Sequence, residues 1–274
     1  MEFFQTLEAI IQISDPYEKM EQFKRFYTLF QNGSIPMNHE QKSIMFHEPS
    51  FRGFCEIVDP QKVPRRSRFG TAEGRAILLH AIAHIEYSAI DLALDAAYRF
   101  KNLPKQFYKD WLQVADDECR HFLMIDSLLK ELGYRYGDFP VHQGLFDAGK
   151  ASQTLIDRMA VVPRYLEANG LDANPRIIQK LKKFHDPFAI KMTQALDIIL
   201  TEEIAHVKKG DFWFRWACEQ AGCEDIEKEY FQRIEKIYPG TLHSKTEVNI
   251  EARKKAGFSC REIELLSKER IDCG

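Results

Sequence analysis

Two strings of the sequence share one spacing: Glu118 precedes His121, and Glu203 precedes His206, by three residues. On a helix that spacing sets a carboxylate and an imidazole about one turn apart on the same face, a ligand pair for a divalent metal ion. Each pair interrupts a stripe that is otherwise apolar. Phe107, Trp111, Val114, Glu118, His121, Ile125, Leu128 and Leu132 recur at steps of three and four. Met192, Leu196, Ile199, Glu203, His206, Gly210 and Trp213 do the same. Such stripes are the inward seams of packed helices. Two further stripes carry a single glutamate each: Glu86 among Leu79, Ile82, Ile90 and Ala93, and Glu167 after Ile156, Ala160 and Pro163.

Four inward carboxylates sum to a charge of −4, and taking even one unpaired charge out of water costs several kcal/mol. Two divalent cations bring the compensating charge when both histidines are neutral. Glutamate from each of two helices, with a Glu-x-x-His pair from each of two others, is the ligand set of ferritin-like di-iron and di-manganese proteins. The expected ligands are therefore Glu86, Glu118, His121, Glu167, Glu203 and His206 around two iron ions. Manganese or a mixed iron–manganese pair suits the same donors, and zinc can substitute. Metal-bound imidazoles donate their other nitrogen to a carboxylate or carbonyl. Asp117 and Glu202 each stand one residue before a motif glutamate, so Asp117 is expected against His206 and Glu202 against His121.

Other residues invite chemistry less strongly. His80 and His84 stand one turn apart, but no acid occupies the place a metalloprotease needs, and His84 lies about 200° around the helix from Glu86. His84 is expected to be structural or to border an entrance. Tyr87 and Tyr165 adjoin proposed ligands and suit redox-active phenols, though core packing explains them as well. Arg158 and Arg164 suit an acidic substrate or, more simply, salt bridges. Pro163 should kink its helix and open space beside the metals. The run Arg65, Arg66, Arg68 reads as a solvated loop or an ion-paired clasp.

The elements that must position these residues are helical almost throughout. One or two helices fill the first 30 residues, and the proline-rich stretch 33–70 is irregular. Thr71 caps a helix to about Phe100; a second starts near Pro104 and ends at Leu132-Gly133. A third spans roughly 146–169. Asn174-Pro175 and Asp186-Pro187 each read as a cap with proline in the first turn, starting a short helix and then a long one to about residue 221. The domain organisation expected is an N-terminal helical segment and wrapping loop over 1–70, a four-helix bundle over 71–221, and a C-terminal helical tail over 222–274.

The 274 residues hold 38 basic and 41 acidic side chains, a net charge of −3, with 45% hydrophobic residues. That composition excludes disorder and a protein that mainly coats nucleic acid or anionic membrane. No run of 18 uninterrupted apolar residues occurs, so no membrane-spanning helix is expected, and the acidic N-terminus is unlike a signal peptide. Six scattered cysteines without a CxxC pair read as thiols in a reducing, cytoplasmic setting and exclude a rubredoxin-type centre.

The strings GTAEGRAILLHAIAHIEYSAIDLALDAAYRF, DDECRH, RMAVVPRYLEANGLDANP, TEEIAHVKKG and NIEARKKAGFS together resemble a bacterial family of uncharacterised proteins with a ferritin-like domain, over roughly residues 50–260. The resemblance implies an all-α, ferritin-like four-helix bundle with N- and C-terminal helical extensions. A more distant similarity is to the di-iron hydroxylase that modifies a hypermodified adenosine in tRNA, where the inward glutamate sits in a Glu-Ala-Arg context. Here the string is Glu167-Ala168-Asn169. The expected function is a di-iron oxidase or monooxygenase that activates O2 against a small organic substrate, with an electron-donating reductase as possible partner. A monomer or dimer is expected, with neither membrane nor nucleic acid as partner. The alternatives are a ferroxidase or peroxide-reducing iron protein, a tRNA-modifying hydroxylase, and a bundle that uses metal only for stability.

Overall fold

Apolar residues at helical spacing, punctuated by good caps, leave little room for anything but helices. The computed structural model describes residues 2–243, 247–267 and 270–271. Among them the fold is all-α, with one isolated bridge between Ile57 and Val141. The chain divides into two units, Met1–Lys150 and Ala151–Gly274.

The first unit holds α1 (Phe3–Gln12), α2 (Pro16–Gln31), α3 (Ala72–Arg99), α4 (Lys105–Glu131) and most of α5 (Gly144–Ala151). Its centre is the hairpin of α3 and α4, the most extensive helix packing in the unit. Thr71 caps α3 as expected, its hydroxyl accepting from Gly74 N at 3.0 Å. Pro104 stands at the cap of α4, one place before the first helical residue. Phe3, Phe4, Phe26 and Phe30 of α1 and α2 are buried, and Phe3 packs its ring edge-on to Tyr108 of α4. The proline-rich stretch is irregular, as expected, but it is pinned. Ile44 N donates to the Tyr98 hydroxyl (2.9 Å), Phe51 is buried against the His84 ring, and Val58 N donates to Val141 O (2.8 Å).

α3 is long and apolar enough to cross a membrane by length and composition, but 72% of its most apolar window is buried within the protein, as in a core helix. The reading of all six cysteines as thiols is corrected. Cys55, Cys119, Cys218 and Cys223 are free, whereas Cys260 is disulfide-bonded; Cys273 lies outside the described residues.

The second unit holds α6 (Leu155–Val161), a π-helical turn (Val162–Glu167), α7 (Ala168–Leu181), α8 (Pro187–Gln220), α9 (Ile226–Ile237), α10 (Ile250–Lys255) and α11 (Cys260–Ser267). The third predicted helix is not one element over 146–169: α5 ends at Ala151, and a new path begins at Leu155 and runs without a break to Leu181. Asn174-Pro175 therefore lies inside α7 and starts nothing. Proline leaves the carbonyl four residues back without its helical donor; here that carbonyl is Leu171 O, and the Asn249 side-chain amide fills the place at 3.2 Å. Asp186 does cap α8, accepting from Ala189 N at 3.0 Å.

Pro163 bends the path by widening it into the π turn. The neighbouring α8 accommodates the bulge because residue 210 is glycine: a Cβ there would stand 2.3 Å from Pro163 Cβ. The C-terminal string is tied to the same place by buried charge. Arg164 reaches Asp211 (2.8 Å) and Glu262 (2.9 Å) among the rings of Phe214, Tyr230 and Phe258. Arg253 grips Asp172 through Nε and Nη2. Gly257 adopts φ +101°, and a Cβ there would meet Asp211 Oδ2 at 2.5 Å.

Candidate metal centre

In the first unit, α3 presents Glu86 and α4 presents Glu118 and His121, all three buried on the seams the spacing predicts. The ligand atoms these side chains offer lie within 4.8 Å of one another. His121 Nδ1 stands 3.2 Å from Glu118 Oε2 and 3.3 Å from Glu86 Oε2. One N–H serves one acceptor well. It donates to Glu118, and Glu86 Oε2, although buried, is left without a hydrogen bond.

The electrostatics state the same need. Burial, then the neighbouring Glu118 carboxylate, push Glu86 well above the ordinary carboxylate range. Burial by itself would lower His121, but the carboxylates of Glu118 and Glu86 outweigh it and hold the imidazole protonated far above its usual range. A proton on His121 offsets one of two buried negative charges; a divalent cation offsets both and supplies the orphaned oxygen with a partner. The cluster of glutamate and histidine therefore fits a metal ion, and its mixed oxygen–nitrogen donors suit several divalent metals.

The second unit carries the other motif on α8. Glu203 and His206 are both buried, with His206 Nδ1 3.9 Å from Glu203 Oε1. Met192, Leu196, Ile199, Gly210 and Trp213 are buried along the same stripe. Glu167 ends the π turn and is half-buried. The stripe expected before it is only partly right. Ala160 and Pro163 are buried and Ile156 is half-buried, while Asp157 and Arg158 are fully buried, because residues 157–164 are covered on every side rather than along one stripe. Asp117 is half-buried and ion-paired with Arg120; Glu202 is half-buried.

The other candidates resolve as structure. His84 Nε2 lies 2.9 Å from the His142 carbonyl and Nδ1 2.9 Å from the Tyr136 hydroxyl. A carbonyl only accepts, so Nε2 carries the proton and the Tyr136 hydroxyl donates to Nδ1. His80 Nε2 accepts from Gly137 N at 2.9 Å. Burial drives both histidines down to about 4, so they are neutral at neutral pH. The Tyr87 hydroxyl lies 3.2 Å from Ser50 Oγ, and Tyr165 bonds to Thr241. Arg164 takes the salt-bridge role, Arg158 is buried, and Arg65, Arg66 and Arg68 are exposed, with Arg68 near Glu73.

Sequence reasoning missed the buried polar groups that lie off the seams. Lys19 is fully buried and bonds Asp91 of α3, Ser50 Oγ (2.7 Å) and Ile11 O (3.0 Å). Burial pulls the lysine down and pushes the aspartate up, each held back by the other's charge. A signal existed: Asp91 and Asp95 stand, with Glu86, inside the longest apolar stretch of the chain, and buried acids call for cations.

The model of a family described as "Protein of unknown function (DUF455)" matches residues 12–264. An uncharacterized protein of Haemophilus influenzae is 37% identical over 278 residues, covering 96% of this chain and 93% of that protein. No solved structure matches.

Proposed function

The chain belongs to the DUF455 family of unknown function, and from that premise we propose that it is a ferritin-like di-iron carboxylate protein, an oxidase or monooxygenase of a small organic substrate. Glu86, Glu118, His121, Glu167, Glu203 and His206 are its ligand set. The observation that carries the reading is the buried Glu86, Glu118 and His121 cluster, with an orphaned carboxylate oxygen and more negative charge than one proton offsets. The repetition of the motif as Glu203 and His206, again buried on an apolar stripe, supports a second half of the same site.

When bound, two ferrous ions supply the electrons that reduce dioxygen. The chain's own residues do the rest. The apolar stripes around the carboxylates exclude water, and the shared helical faces hold the donors in place before any metal arrives. His121 gives up its proton as metal enters, so metal uptake releases acid. Arg164, Asp211 and Glu262 fix the π turn that carries Glu167.

The test is to load purified protein with ferrous iron anaerobically, admit air, and follow both the absorption spectrum and the iron oxidised. Oxidation of about two ions per chain without further turnover supports the reading. Continuous oxidation into a mineral core points to iron storage, and tight zinc without oxygen reactivity points to a stabilising metal; either result overturns it.

A further inference from the structure

We propose that a cavity in the first unit, on the side of α3 turned away from Glu86, binds an uncharged, largely apolar small molecule through a hydroxyl or amide N–H donor. The cavity measures about 570 Å3, within the roughly 300–1,000 Å3 usual for small-molecule sites. It lies between α3 and the irregular segment around residues 44–53, with Ile44, Phe46, Leu92 and Phe146 among its walls. At about 100° per residue, Asp91 and Asp95 of its lining are turned roughly 140° and 180° from Glu86. The cavity is thus distinct from the metal ligands.

Its three acids are each matched by a cation. Asp91 meets the buried Lys19, Asp95 meets Arg99 at 2.8 Å, and Glu48 meets Arg52 at 3.0 Å. An ionised ligand would have to compete with partners already in place, while an apolar body gains by leaving water. The polar groups that Ser50 and α3 turn to the cavity between these pairs offer acceptors. The Ser50 hydroxyl donates to Asp91, and the Ser88 hydroxyl donates to His84 O at 2.7 Å, so neither proton is available. A carboxylate has about four lone-pair positions; Lys19 and Ser50 occupy one on each Asp91 oxygen, and the Asp91 side chain keeps 16% of its surface exposed. The cavity therefore asks its ligand for a donor and offers it a carboxylate that carries no net local charge. The buried Lys19 also ties Ile11, Ser50 and α3 together, which sets this end of the cavity before a ligand enters.

The experiment titrates the full-length protein with 2-naphthol, and with naphthalene and 2-naphthoate as comparators, by equilibrium dialysis at neutral pH. Naphthalene lacks the donor and naphthoate carries a charge. The expected result is saturable binding of one 2-naphthol per chain, at least about tenfold tighter than either comparator, the equivalent of one hydrogen bond. Leu92→Trp should fill the cavity and abolish binding. Phe46→Ala, at a half-buried position where folding tolerates truncation, should weaken it several-fold, and so decides the matter if the tryptophan variant does not fold. Metal content should be unchanged in both. No saturable binding, naphthoate binding as tightly as naphthol, or affinity indifferent to these substitutions would each overturn the assignment.

Discussion

The two units carry the same short motif and embed it differently. In the first, α3 and α4 are uninterrupted helices, and the seams read from spacing are buried nearly residue for residue. His121 there turns onto its own Glu118 and onto Glu86. In the second, the path opposite α8 widens into a π turn at Pro163, His206 stands farther from Glu203, and the buried charge is carried by arginines. Arg164 and Arg253 are matched by Asp211, Glu262 and Asp172. In the first unit the motif glutamates Glu86 and Glu118 thus have only the proton of His121 close by, whereas the second supplies permanent cations beside its motif. A metal ion is asked for most strongly where the chain offers only a proton.

The sharpest way to break this contrast is at Glu118. Glu118→Ala should remove metal from the first-unit cluster, so that metal analysis of reconstituted protein falls from about two ions per chain to one or none. Two ions retained would end the reading of that cluster. Next comes the second unit's own cation. Arg164→Ala leaves Asp211 and Glu262 with Arg215 alone and should cost about 3 kcal/mol in denaturant unfolding without changing the donors of the first unit.

Acid should act through the first unit. His80 and His84 have folded values of about 4 against 6.5 for the free side chain. The unfolded chain therefore binds protons the folded one refuses, and stability is full above pH 6.5 and falls as pH drops towards 4. Each histidine accounts for about 3 kcal/mol at most. The melting temperature followed across that window should flatten in part for His80→Gln, which keeps an acceptor for Gly137. Smaller again is Asn249→Ala, which loses the cap of α10 and the donor to Leu171 O, expected at about 1–2 kcal/mol. Arg52→Ala removes an exposed ion pair and should shift stability by less than about 0.5 kcal/mol.

How far the sequence reached follows this same division. The all-α class, the caps at Thr71 and Asp186, and the burial of Glu86, Glu118, His121, Glu203 and His206 were legible because each follows from local rules: a 3.6-residue period, a capping side chain, a polar residue on an apolar stripe. The third helix was not. Its path runs through a π turn and is covered on every side over residues 157–164, and a proline's effect on a helix is settled by what the neighbouring helix can accommodate; here Gly210 yields the space.

That the chain is helical and that its motif glutamates and histidines point away from water follows from the order of residues, since periodicity alone fixes which side chains share a face. Which distant residues complete the buried charges is fixed by the packing of the helices. Lys19 finds Asp91, and Arg253 finds Asp172, across separations that no spacing rule spans. Partners that meet through folding leave no local trace, because the pairing energy is realised only once the desolvated groups are brought together.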